Sequence, residues 1–260
     1  MVNYKGKNFK DFIRDGSIKL KLLIGKHLMA PLQKKINSVR YNHLAPTDKT
    51  IYINIDDIYG WCPGSLKGLS YQGQVLSGDW DLNIIPKNER LKTFSKYIGI
   101  YERYIEQKEW IETTLFQHYK SLLKKNRQVL GRNSIKEIEA YYEENIDSLF
   151  TAIKTIGILP AGNGDPGIDP LYVHIGRNGE FFYTVEGNHR LSMAIVLNIE
   201  KIPVQVWKRH KLWQEKREKI LGDRLIPKNL KKYLNHPDII SELNSSDNVL
   251  YTKKLAEEIA

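Results

Sequence analysis

Apolar and polar positions change period several times along the chain, and those changes outline its elements. Residues 50–58, Thr-Ile-Tyr-Ile-Asn-Ile-Asp-Asp-Ile, alternate and are rich in β-branched side chains, which predicts a strand ending in a turn at Asp56 and Asp57. Residues 61–68, with Pro63, Gly64 and Gly68, read as a loop. Between residues 90 and 125 apolar side chains recur every three or four positions, first Phe94, Tyr97, Ile98 and Tyr101, then Ile111, Leu115, Tyr119 and Leu122. That spacing predicts two amphipathic helices. Ser134 and Glu137 form a capping box for a further helix through Tyr141, Ile146, Phe150 and Ile153, stopping at Gly157. Residues 160–170 read as a loop by their Pro, Gly and Asp content.

A hairpin follows, with residues 171–175 and 180–185 joined across Arg177-Asn178-Gly179. Its second strand leads into the stretch Val185-Glu186-Gly187-Asn188-His189-Arg190-Leu191-Ser192-Met193-Ala194, where a glycine turn joins a buried strand to a short apolar helix. The first amides of such a helix are unpaired and its dipole is positive there, so the turn can seat an anion, most often phosphate. His189 and Arg190 are expected beside it as donors. Residues 202–207 predict another strand, with Pro203 suggesting a strand start or edge. From residue 208 the chain reads as a charged helical tail in which Trp213, Ile220 and Leu221 are the anchors.

The 260 residues are 41% hydrophobic, enough for a substantial core, and carry a formal charge of +10, which makes polyanions plausible partners. The single cysteine, Cys62, excludes an intramolecular disulfide framework and a zinc ribbon, and fits a reducing compartment. Residues 9–39 read as a basic amphipathic helical segment broken at Gly16 and Pro31. Lysines and a histidine interrupt its longest apolar run, so no bilayer span is expected and the reading is cytoplasmic.

The ordered set from residue 146 to 207 resembles the ParB N-terminal/sulfiredoxin superfamily. The set comprises a helix ending at Gly157, a strand, an Asn-Gly turn, a strand, Glu186-Gly187-Asn188-His189-Arg190, an apolar helix and the strand Ile202-Pro203-Val204. The chain is also similar to uncharacterised ParB-like proteins that combine Gly78-Asp79-Trp80-Asp81 with Arg209, His210, Trp213 and Gln214. The resemblance implies an α/β (α+β) fold with a small mixed sheet. The helical insertion falls at about 84–140 within a domain spanning 46–210, flanked by a basic helical segment (1–45) and a helical tail (211–260).

It further implies a nucleotide, ATP or ADP, whose phosphates contact Gly187, Asn188, His189, Arg190 and Ser192. The position where sulfiredoxins carry their catalytic cysteine is Asn188, which argues against sulfinic acid repair. The ParB box is altered at Asn188 and His189. The nearest box is that of the free serine kinases, which implies phosphotransfer to a small hydroxyl-bearing acceptor, with Mg²⁺ as a candidate cofactor. Such chemistry needs a base or metal-holding carboxylate, for which Glu186, Asp56 and Asp57 are the candidates. Asp79, Trp80 and Asp81 form a second acidic or substrate site. The alternatives are a ParB-like nucleic-acid-binding or nucleolytic protein, drawn from the basic charge, and a nucleotide sensor without catalysis.

Overall fold

One long strand, β7 (Lys201–His210), holds the sheet together. The computed structural model describes residues 30–46, 49–62, 72–160, 170–184, 187–223 and 225–243. Along one edge β7 pairs antiparallel with β1 (Thr50–Asn54) over its first half and parallel with β3 (Gln74–Leu76) over its last three residues. Its other edge pairs in parallel with β5 (Leu171–Ile175). The sheet continues through β6 (Phe181–Tyr183), β2 (Ile58–Trp61) and β4 (Ile85–Pro86), in the order β1-β7-β5-β6-β2-β4. It is a seven-stranded mixed sheet, so the expected mixed α/β class is what the chain adopts.

The β5–β6 hairpin forms across the Asn-Gly turn as its sequence predicts. Two stretches differ from the expectation. Residues 58–61 are a strand, because a single turn of 3-10 helix (Ile55–Asp57) carries the chain from β7's flank to β6, where Ile58 pairs with Phe181 and Trp61 with Tyr183. Residues 208–210 continue β7 and are not the start of the helical tail, because β3 and β5 pair with them from both sides. Pro203 sits inside β7, opposite Tyr52, one residue before β5 joins at Val204.

Nine α-helices occur among the described residues: α1 (Ala30–Arg40), α2 (Lys87–Thr93), α3 (Ser95–Tyr104), α4 (Thr114–Lys124), α5 (Ile135–Tyr141), α6 (Asp147–Ile156), α7 (Asn188–Val196), α8 (Lys211–Gly222) and α9 (Pro237–Leu243). The predicted segment 9–39 lies largely outside the described residues, as does the tail beyond residue 243. None of the described helices is long and apolar enough to cross a membrane.

Helices α2 to α6 all fall between β4 and β5 and form a layer around Ile100, Trp110, Leu115, Phe116, Ile138 and Tyr142, all at 1% exposure or less. Ser134 Oγ accepts from the Glu137 amide at 3.2 Å, as the capping box predicts, whereas the Glu137 carboxylate reaches back to the Asn133 amide. Asp147 joins the layer's parts by accepting from Tyr104 Oη at 2.5 Å and Trp110 Nε1 at 2.9 Å.

The last described helices are tied to β7 through buried charge. Asp238, 1% exposed, accepts from Arg209 Nε and Nη2 at 3.1 and 2.6 Å and from Trp213 Nε1 at 2.9 Å, and pairs with Arg217 Nη1 at 3.0 Å. Burial alone would raise the Asp238 carboxyl, but the two guanidinium groups hold it far below the usual carboxylate range. Stability from a carboxyl so depressed is complete above its unfolded pKa of about 4 and is lost as pH falls further. Asp238→Ala removes the carboxylate that both buried arginines share, leaving Arg217 only its 3.5 Å contact with Glu242, and should cost about 3–5 kcal/mol. Urea unfolding of wild type and variant from pH 7 to pH 3 should show the difference shrinking on the acid side.

Candidate functional site

The predicted glycine corner lies between β6 and α7. Gly187 has φ +69° and ψ 24°, a left-handed conformation that disfavours any residue with a β-carbon. A methyl group there would also collide with Leu171 Cδ2 and come within 3.3 Å of Arg190 Nη2 and 3.4 Å of Tyr183 Oη. The cap residue has no side chain to bond the first amides of α7. Positive helix end, guanidinium and phenol therefore stand around one backbone turn.

His189 takes a different course from the expected one. Its Nε2 lies 2.9 Å from Tyr142 Oη, which in turn lies 2.7 Å from Tyr119 Oη, and its ring meets Tyr142 edge to face at 5.6 Å. Burial, helped by nearby Lys96, lowers its pKa to about 3. At neutral pH it is an uncharged imidazole that anchors α7 to the helical layer, and the cation expected beside the corner is Arg190. Tyr142 opens a turn of π-helix (Tyr142–Ile146), a local widening of the kind that recurs at functional sites. Ser192 is fully buried and its hydroxyl donates to the Asn188 carbonyl within α7 at 2.8 Å, so it braces the first turn of the helix.

The acidic candidates are distributed over two places. Asp56 and Asp57 precede β2, which runs parallel to β6, so they stand at the end of the sheet opposite Gly187, about three strand residues or ~10 Å away along the strand axis. Asp56 is exposed and pairs with Lys87 Nζ at 2.8 Å, which lowers its carboxyl. Glu186 lies outside the described residues.

Asp79, Trp80 and Asp81 gather on the other side of the hairpin. Arg177 donates from Nε and Nη2 to Asp81 at 2.9 and 2.7 Å and from Nη2 to Asp79 at 2.8 Å. Its backbone amide donates to Asp81 at 2.8 Å. Burial pushes the Asp81 carboxyl up, but these bonds and nearby His210 outweigh it and leave the group below its ordinary value. His210 uses both ring nitrogens, Nε2 donating to the Gly78 carbonyl at 2.8 Å and Nδ1 accepting from the Leu212 amide at 3.1 Å. The two motifs quoted from the sequence, residues 78–81 and 209–214, thus meet through His210. Their remaining members are structural: Arg209 and Trp213 hold Asp238, and Gln214 donates to the His43 carbonyl and Glu218.

No protein-family model, curated protein or solved structure matches this chain. Among the described residues, no three His, Cys, Asp or Glu side chains are grouped to hold a metal ion.

Several residues in these two regions carried no signal in the sequence reading. Tyr183 reads as one more buried strand residue, and Tyr142 is not among the apolar positions that predict its helix. Lys208 falls in the stretch that reads as a charged helical tail. The only available signal was the placement of basic and aromatic side chains at buried strand positions. The imidazole of His189 should titrate near pH 3: its Cε1–H proton resonance should stay at the neutral position from pH 8 to pH 5. Because the folded pKa lies below the unfolded value of about 6.5, the stability this group contributes is present above pH 6.5 and lost as pH falls toward 3. His189→Phe should therefore flatten that part of the acid limb.

Proposed function

We propose that this chain is a ParB/sulfiredoxin-like nucleotide-binding protein that seats the phosphates of ATP or ADP at the Gly187 corner and transfers a phosphoryl group to a small hydroxyl-bearing acceptor. The observation that carries the reading is the corner itself, with a left-handed glycine, no side-chain cap on α7, and Arg190 Nη2 and Tyr183 Oη beside the turn. In this reading the amides of α7 and the guanidinium of Arg190 take the phosphate oxygens, and Asn188 stands in the first turn beside them. His189 positions α7 through Tyr142 and does not contact the anion. Glu186, next to Gly187 in the chain, is the carboxylate that would orient the acceptor hydroxyl or hold Mg²⁺. Asp56 and Asp57 are left without a role in this step because they stand at the opposite end of β2.

That placement of Asp56 and Asp57 favours a second reading, a nucleotide sensor with the same seat and no turnover. Thermal unfolding of the full chain with ATP, ADP, CTP or GTP, each with and without Mg²⁺, tests the seat. A nucleotide present at a hundred times its Kd should stabilise the protein by about 2.7 kcal/mol, a rise of a few degrees in Tm. Arg190→Ala should remove that rise, and an equal rise in both proteins overturns the assignment. Glu186→Gln should keep the rise and abolish release of ADP or AMP in the presence of hydroxyl acceptors. Binding by wild type with no turnover on any acceptor would select the sensor.

A further inference from the structure

A row of side chains crosses the sheet away from the Gly187 corner. Gln74 of β3 pairs with Lys208 of β7, Lys208 with His174 of β5, and His174 with Phe182 of β6. Residues in register across neighbouring strands project from the same face. β7 carries an extra residue against β5 at this point, since Val173 pairs with Val206 and His174 with Lys208, and bulges of this kind re-aim side chains beside functional sites.

Trp80 lies over the row, with its ring centroid 5.9 Å from that of His174, 6.5 Å from that of Phe182 and 5.8 Å from Lys208 Nζ. The Arg177–Asp81 pairing and the His210 bond to the Gly78 carbonyl hold the Trp80 turn in place. The Cys62 thiol donates to the Trp80 carbonyl at 3.6 Å and closes one side.

The polar groups under Trp80 are unsatisfied. Six buried side-chain nitrogen or oxygen atoms among the described residues have no hydrogen-bond partner, and four of them are here: Gln74 Oε1, Trp80 Nε1, His174 Nδ1 and His174 Nε2. His174 is completely buried; the Val173 backbone lies near it without a hydrogen bond of normal geometry. Burial, with Lys208 beside it, lowers its pKa to about 3, so it offers one N–H and one bare nitrogen. The Lys208 side chain, in a residue 7% exposed, makes no hydrogen bond or ion pair with any described residue, and Asp81, next to Trp80 in the chain, is engaged by Arg177. Buried polar groups in native proteins are nearly always paired, and a cluster of exceptions calls for a companion such as water or an ion.

We infer that the Gln74–Lys208–His174 row beneath Trp80 is a second binding site, for a small oxyanion. Lys208 supplies the charge, Trp80 Nε1 and the His174 N–H supply two directed donors, and Phe182 with the Trp80 face supplies a dry wall. A carboxylate of a small metabolite and free phosphate share this chemistry.

The test is thermal unfolding of the full chain titrated with sodium acetate or sodium phosphate at constant ionic strength. Wild type should show a saturable rise in Tm with at least one of the two, and which one identifies the source. Lys208→Met should lose the rise, and Trp80→Phe, which removes the N–H donor and part of the ring wall, should weaken the apparent affinity at least threefold. Arg190→Ala should keep it, which separates this site from the nucleotide seat. Equal responses in wild type and Lys208→Met overturn the inference, as does no response in wild type, which would mean that water alone fills the row. If Lys208→Met fails to fold, Trp80→Phe decides, and an affinity equal to wild type overturns it.

Discussion

Three residues, 55–57, join β1 to β2, and that short connection dictates the shape of the sheet. In the strand order the two are separated by four strand-to-strand steps, about 19 Å on a flat sheet at ~4.8 Å per step. Four peptide spans from Asn54 to Ile58 reach about 14 Å at most. The sheet must therefore curl until its flanks approach, with the Ile55 amide bonded to the Glu200 carbonyl just before β7 begins. Curling gives the sheet two unlike surfaces. Ile51, Ile53, Val173, Ile175, Ile202, Val204 and Val206 belong to the main apolar core, whereas Phe182 and Cys62 are buried outside it.

The two candidate sites follow from that division. At one end of the sheet, where β2 and β6 finish and β5 begins, the chain turns through Gly187 into α7. Across the hairpin, the turn at residues 78–81 lies over the surface around Phe182 and buries an amine, an imidazole and an indole N–H, which need a polar companion.

What the sequence disclosed depended on how local its cause was. The hairpin at Asn178-Gly179, the Ser134 cap and the Gly187 corner are each decided by a few adjacent residues, and each was readable. β2 was hidden because its four residues include Gly60, present for close approach: a methyl group there would collide with the Ile85 carbonyl of β4. The end of β7 reads as the start of a charged helical tail because Lys208-Arg209-His210 is basic, and the group that buries Arg209 is Asp238, 29 residues away. The direction of His189 was equally hidden, since the phenol it meets lies 47 residues upstream. Side-chain direction at the site was thus set by distant segments, while the backbone turn was set locally.

The chain of rings from Tyr119 through Tyr142 to His189 has one more consequence. It is the polar thread between the inserted helices and the first turn of α7, and none of its three members carries charge at neutral pH. Insertion and corner are therefore joined by uncharged groups, so the contact between them keeps its strength across the neutral pH range and is indifferent to salt.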